Sequence, residues 1–245
     1  MSKLVSGAAI AAAIFASAST ASAFEFTGSS IGVEYSRFNA KGLDDNNNPI
    51  RLERVSVTGS ASFNFTPSFG GQVETGSHEL GLMDENIKNF GLHGYYNLSD
   101  TSAAGAFVTH ERNSGGSVNL VGLEYMRKME KIDFEVYAAK ANDGEETVTA
   151  LGGSGRYAMS DRFGLLFDLS QTKVDTLTMT NLSLGTDFKV SEMTSIYLNS
   201  GSAALDTDEG SSTEGFIAVG AKFTFGPKNG STFKNRSILG TFPGY

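Results

Sequence analysis

Three histidines are the side chains of this 245-residue chain that titrate nearest neutrality, and each invites a different chemistry. His110 falls on or near an outward register. There it could activate one of the many serines for acyl transfer at a lipid boundary, provided a hydroxyl lies within hydrogen-bond reach. No sequence context singles out such a serine, so no catalytic residue is assigned and the chain is not expected to be an enzyme. His78 falls in an expected loop, and His93 lies in the middle of an expected strand. The run Asp206-Thr207-Asp208-Glu209-Gly210 begins as a calcium loop does but lacks its remaining ligands and its closing Glu. With no Cys there is no thiolate zinc site and no disulfide framework. Neither a metal nor a cofactor is expected.

The other candidates are charges that recur at a fixed parity. In FGLLFDLS, Phe163, Leu165, Phe167 and Leu169 share one face of an extended chain, and Asp168 lies on the other. KIDFEVYAAK separates Ile132, Phe134, Val136 and Ala138 from Asp133, Glu135 and Tyr137, and VSVTGSASFNF divides its apolar and polar residues in the same way. Helical spacing would mix these sets. Carried along the chain, the period of two gives about twelve strands, near 29–39, 52–65, 68–77, 87–98, 102–112, 117–128, 131–141, 147–158, 162–172, 178–190, 194–204 and 214–225. Alternate connections are short, as in Thr66-Pro67-Ser68, Ser99-Asp100-Thr101, Met129-Glu130, Ser160-Asp161 and Ser191-Glu192-Met193. Those between are longer and acidic, at 39–51, 77–86, 141–146 and 203–214, with a modest one at 111–117.

Before these strands, Lys3, a short apolar run and Ala21-Ser22-Ala23 read as a secretory signal peptide over residues 1–23. The run is shorter than the ~20 residues a membrane helix needs. Without Lys3 the mature chain carries 18 Lys and Arg against 27 Asp and Glu, a net charge of −9. That balance argues against nucleic acid, which needs clustered cations.

Alternation alone does not say which face is inside. A barrel of about twelve strands with an apolar interior would hold a large dry void, whereas the opposite face, rich in Gly, Ser, Thr, Asn and charge, can line a wet one. The expected fold is therefore all-β: a single antiparallel transmembrane barrel over residues 24–226, with the apolar face toward lipid. Phe65, Phe69, Tyr96, Tyr157, Phe163 and Phe188 gather at the short-turn rim, as an interfacial aromatic girdle would. With Val121, Leu123 and Tyr125 outward, the parity sends Glu34, Glu74, His93, Glu124, Lys128, Asp133, Glu135, Arg156, Asp168, Asp187, Lys189 and Lys222 inward as pore-lining residues. Carboxylates outnumber cations there, which gives a weak cation preference if the lumen conducts. If instead these charges satisfy one another across a narrow lumen, the barrel is closed and its loops or its tail do the work.

The last strand, VGAKFTF, places Gly220, Phe223 and Phe225 in the spacing Gly-x-x-aromatic-x-aromatic. This resembles the final-strand assembly signal of Gram-negative outer-membrane barrels, and the chain as a whole is similar to a small porin-like member of that group. The resemblance implies outer-membrane lipid, lipopolysaccharide, the barrel-assembly machinery and small polar solutes or ions as partners. Gly59, Ala61 and Gly71 form a small-residue outward patch compatible with oligomers. The family pattern ends on its last aromatic, whereas here a tail, 227–245, continues on the periplasmic side. Its Lys228, Lys234 and Arg236 alternate with Phe233, Ile238, Leu239 and Phe242. A segment of that kind can fold back into the barrel mouth, where its cations would meet lumen carboxylates, or fray.

Overall fold

A computed structural model of the chain describes residues 24–40, 42–43, 49–50, 52–81, 85–142 and 147–238. The expected signal peptide, residues 239–245 and the acidic tips at Asp44, Asp45, Asp143, Glu145 and Glu146 lie outside the described residues.

The strands are β1 (Glu25–Phe38), β4 (Glu53–Asn64), β5 (Phe69–Leu80), β6 (Glu85–Ser99), β7 (Ser102–Arg112) and β8 (Ser117–Lys128). They continue with β9 (Ile132–Asn142), β10 (Thr147–Ala158), β11 (Phe163–Val174), β12 (Leu177–Ser191), β13 (Thr194–Thr207) and β14 (Gly210–Phe225). A two-residue pair, β2 (Gly42–Leu43) and β3 (Pro49–Ile50), stands apart. From β4 to β14 each strand pairs antiparallel with the next, and β14 returns to β1 with Phe225 opposite Ser29 and Phe216 opposite Phe38. The result is a closed antiparallel barrel of twelve strands with no free edge. Lipid offers the backbone no hydrogen-bond partners, and closure supplies them all from within.

One rim is built from tight turns that short polar side chains hold. Thr66 Oγ1 accepts from Phe69 N at 3.0 Å, and Ser160 Oγ accepts from Phe163 N at 3.0 Å. Ser99 and Ser191 act in the same way on Thr101 N and Met193 N, both at 3.3 Å. These hydroxyls stand in for backbone acceptors that a two-residue reversal cannot provide. Both Phe24 and Gly226 lie at this rim. Edge-to-face pairs mark it, Phe24 with Phe65 at 5.1 Å and Phe69 with Tyr96 at 5.0 Å between ring centroids.

The other rim differs from expectation in its last hairpin. Residues 203–214 are not a loop: β13 runs to Thr207 and β14 starts at Gly210, with register kept to the Thr207–Gly210 pair. Ser211, Ser212 and Thr213 extend the ladder beyond the apolar segment, which the lipid-facing pattern could not show. The same effect moves His78 out of an expected loop and into β5, which continues to Leu80.

Outward positions form an apolar belt, with Leu123 at 68%, Leu184 at 66%, Val121 at 57% and Leu151 at 55% exposure. Such a continuous apolar surface is untenable in water. It faces hydrocarbon. Inward positions are polar, and here lies a second regularity. Tyr95, Phe107, Tyr137, Tyr197 and Phe216 point inward, each directly opposite a glycine: Gly70, Gly122, Gly152, Gly220 and Gly201. A Cβ on these glycines would sit 2.3–2.7 Å from the partner ring. The rings therefore lie flat along the wall instead of crossing the lumen.

Leu123→Arg should destabilise the barrel by about 2–4 kcal/mol, the cost of a cation near the bilayer midplane. Guanidinium unfolding of the protein refolded into phosphatidylcholine vesicles measures it, and an unchanged midpoint would mean that this face does not meet hydrocarbon.

Candidate functional site

The residues with the strongest charge chemistry stand on the inner wall. Glu34 on β1 accepts from Arg54 of β4 at 2.6 Å and from the Tyr197 hydroxyl at 3.0 Å. Arg156 on β10 meets Asp187 on β12 at 3.0 Å. Asp168 on β11 shares their parity and borders a cavity of about 410 Å³, as does Lys222 on β14. Lys128, directly opposite Asp133, and Lys189, two positions beyond Asp187, lie toward the short-turn rim on the same inward parity. Glu74, His93, Glu124 and Glu135 are also inward but bury almost completely, at 2%, 4%, 4% and 8% exposure. What buries them is the tail.

After Phe225 the chain turns through Gly226 (φ 86°), Asn229 (φ 53°) and Gly230 (φ 126°), the left-handed region that Gly and Asn tolerate. Lys228 N donates to Thr27 O at 2.8 Å, which pins the reversal to β1. Gly28 makes room, since a Cβ there would stand 2.0 Å from Gly230 O. Residues 231–238 then climb inside the barrel along β4–β10 instead of remaining outside it.

The wall satisfies this segment's backbone amide by amide. Ser62 Oγ accepts from Thr232 N at 2.9 Å. The Gln72 side chain accepts from Phe233 N and donates to Phe233 O, both at 2.9 Å. Glu135 accepts from Lys234 N at 3.1 Å, Glu74 from Arg236 N at 2.9 Å, and Glu111 from Ile238 N at 3.0 Å. Asn89 reaches Asn235 Oδ1 and Arg236 O at 2.9 and 3.2 Å. An irregular chain in a lumen needs such partners, because a buried unpaired amide costs ~1–3 kcal/mol.

Arg236 closes the arrangement. Its guanidinium donates to Glu124 Oε2 at 3.0 Å and bonds Glu135, and it lies 4.4 Å from the Tyr137 ring centroid. Glu124 Oε1 is 2.6 Å from His93 Nδ1, His93 Nε2 is 3.0 Å from Glu74 Oε2, and Glu74 Oε1 returns to Arg236 N. The path begins and ends on one tail residue. Phe233, 1% exposed, stacks on His93 with centroids 6.0 Å apart and planes 7° apart. Higher up, Ile238 packs among Phe107, Leu120, Ala139, Ala141, Val148 and Ala150.

Among the described residues, the tail leaves the opposite side free. Along β1, β4 and β10–β14 a cavity of about 410 Å³ is lined by Ser30, Ser36, Ser60, Asn181, Ser183, Asn199 and the charges Glu34, Arg54, Asp168, Asp187, Lys222 and Lys234. A further void of about 150 Å³ shares Glu34, Arg54 and Asn235 with it and extends to His78 and Ser237.

Other singled-out residues have plainer roles. His78 is buried, with Nδ1 2.9 Å from Ser56 Oγ. His110 is outward and its Nδ1 lies 2.9 Å from Asn119 Oδ1, an amide rather than a serine. Asp206 and Asp208 flank Thr207, whose Oγ1 donates to Gly210 O at 3.0 Å in the hairpin reversal. In the last strand Gly220 makes space for Tyr197, Phe223 pairs opposite Ile31, and Phe225 precedes the inward turn. Gln72, Asn89 and Glu111 escaped attention in the sequence, although their inward parity was readable. Only the path of the tail makes them matter.

Neither a protein-family model nor a curated protein sequence matches the chain. Solved structures do. The KdgM porin superposes with a TM-score of 0.59 at 11% identity, over 80% of this chain and 99% of that one. The fold is that of the outer-membrane porins. The NanC porin follows at 0.56 and 10% identity, covering 79% of this chain and 98% of its own. An outer-membrane channel from Pseudomonas putida F1 gives 0.53 at 12% identity, over 82% and 95%. The KdgM porin has also been solved in complex with disordered oligogalacturonate.

Arg236→Ala strands Glu124 and Glu135 in a buried setting, a change that typically costs ~3–5 kcal/mol. The amides of Phe233 and of residue 236 should then exchange with solvent at least about a hundredfold faster. Hydrogen exchange of the folded protein in detergent or nanodiscs measures this, while the β-ladder amides should hardly change.

Proposed function

We propose that the chain is an outer-membrane channel for passive diffusion of small polar solutes, along the half of the lumen that the tail leaves open. The observation that carries this reading is the cavity of about 410 Å³ beside the tail, lined by hydroxyls, amides and charges inside a barrel whose outer face is apolar. A wall of this chemistry exchanges hydrogen bonds with a hydrated solute without holding it tightly. The porin fold supports the same reading, and the solved oligogalacturonate complex of one neighbour is in keeping with hydrophilic solutes here. The short-turn rim faces the periplasm in this proposal. The apolar belt meets phospholipid and lipopolysaccharide acyl chains, and the barrel-assembly machinery reads Gly220, Phe223 and Phe225. The chain acts without catalysis.

On the wall alone, carboxylates exceed Lys and Arg, which is the basis for a weak cation preference. The tail's Arg236 and Lys234 act against it. A second reading, a closed barrel of structural or interaction function, is favoured by the Ile238 cluster, which packs the tail tightly against β7–β10.

Proteoliposomes containing the full-length chain should swell in an isotonic pentose, and planar bilayers should show steady single-channel current. Deleting 227–245 should enlarge that current, by roughly two- to threefold if the tail fills about half of the section. Neither swelling nor current from the full chain would favour the closed barrel.

A further inference from the structure

Inside the lumen the tail carries two cations with opposite fates. The Arg236 guanidinium is consumed by Glu124 and Glu135 on the wall. Lys234, two residues earlier, is held only by its backbone, whose N–H bonds Glu135, and its side chain is exposed toward the open half. Among the described residues no hydrogen bond or ion pair holds its ammonium. Lys222 on β14 borders the same cavity, likewise without such a partner.

The other charges along this cavity are largely matched. Glu34 is taken by Arg54 and by the Tyr197 hydroxyl, and Asp187 by Arg156. What remains is Asp168 facing two ammonium groups, Lys222 and Lys234. Fixed charges in a narrow lumen between low-dielectric walls act on a passing ion far more strongly than the same charges at a mouth in bulk water. Asp168 can balance one of them, Lys222 on the barrel wall, and the excess positive charge is there because the tail brings Lys234.

We propose that Lys234 is the charge-selecting residue of the channel: brought into the lumen by the tail, it joins Lys222 to make the open half favour small anions over cations. The assignment rests on the channel reading above. It makes the tail a selectivity element as well as an obstruction, with Arg236 as the anchor and Lys234 as the residue that a solute meets.

Reversal potentials of the full-length chain in a planar bilayer under a potassium chloride gradient test it. The wild type should show a chloride preference, and Lys234→Glu should lower the chloride-to-potassium permeability ratio roughly fivefold or more, past unity. Lys234→Gln, neutral and similar in length, should give an intermediate shift. Lys228→Glu makes the same charge change at the exposed rim, where bulk water and salt screen it, and should move the ratio less than about twofold. A ratio unmoved by Lys234→Glu, or moved equally by Lys228→Glu, overturns the assignment while leaving the channel intact. Absence of current from the wild type overturns the channel reading and this inference with it. Heat-modifiable electrophoretic mobility, the same in each variant, establishes that the barrels compared are folded.

Discussion

The interior of this barrel depends on one compensation: acidic side chains that the wall turns inward are bridged by an arginine the wall does not contain. Glu74, Glu124 and Glu135 converge where solvent hardly reaches them, and His93 lies within 3.0 Å of two of them. Carboxylates this close and this dry are costly unless cations and hydrogen-bond donors meet them. Arg236 supplies both, through its guanidinium and its own backbone N–H. Without it, the wall would have to take up protons, admit water or spread apart. The ring of contacts therefore fixes the position of the tail along the lumen axis. A slip of one residue would present Asn235 or Ser237 to the carboxylates instead.

Shape follows from a different pairing. A ring projecting straight across the lumen would narrow it, and several inward positions carry Tyr or Phe. Opposing each with glycine lets the ring lie over the neighbouring strand, where it gains contact with the backbone and the lumen keeps its section. This also accounts for five of the chain's 29 glycines, which would otherwise read as a burden on strand stability. Phe107 and Tyr137 then serve a second purpose, since the Arg236 guanidinium lies over both rings. The flattened aromatics are the floor on which the anchor rests.

Much of this architecture was legible in the sequence because a barrel repeats one local rule. Parity carried Glu34, Asp168 and Lys222 to the inward face without knowledge of any contact, and the short turns declared themselves by their length at every other connection. Two kinds of information were missing. Hairpin extensions beyond the lipid-facing segment lose the apolar signal that marks a strand, so His78 and residues 203–214 looked like loops. The path of an irregular segment is set by partners distant in sequence, and no period reports them. Gln72 is an ordinary polar residue until Phe233, 161 positions away, is seen to donate to it.

The direction of the tail has a local origin that can be separated from its destination. At the end of β14 an outward course into the aqueous phase would leave the tail's backbone solvated at no conformational cost. The inward course needs three left-handed residues within five positions, Gly226, Asn229 and Gly230, and a fourth small residue, Gly28, at the point of closest approach. Such a reversal is specified by residue type, because a side chain with a Cβ at Gly230 or Gly28 would be strained or blocked. The turn thus delivers Ser231 to the wall at Ser30, and from there the order of acceptors, Ser62, Gln72, Glu135, Glu74 and Glu111, draws the chain upward. Local geometry decides that the tail enters, and long-range electrostatics decides how far. The two are independent enough that loss of the anchor would loosen the upper segment while the turn still held the lower one at the mouth.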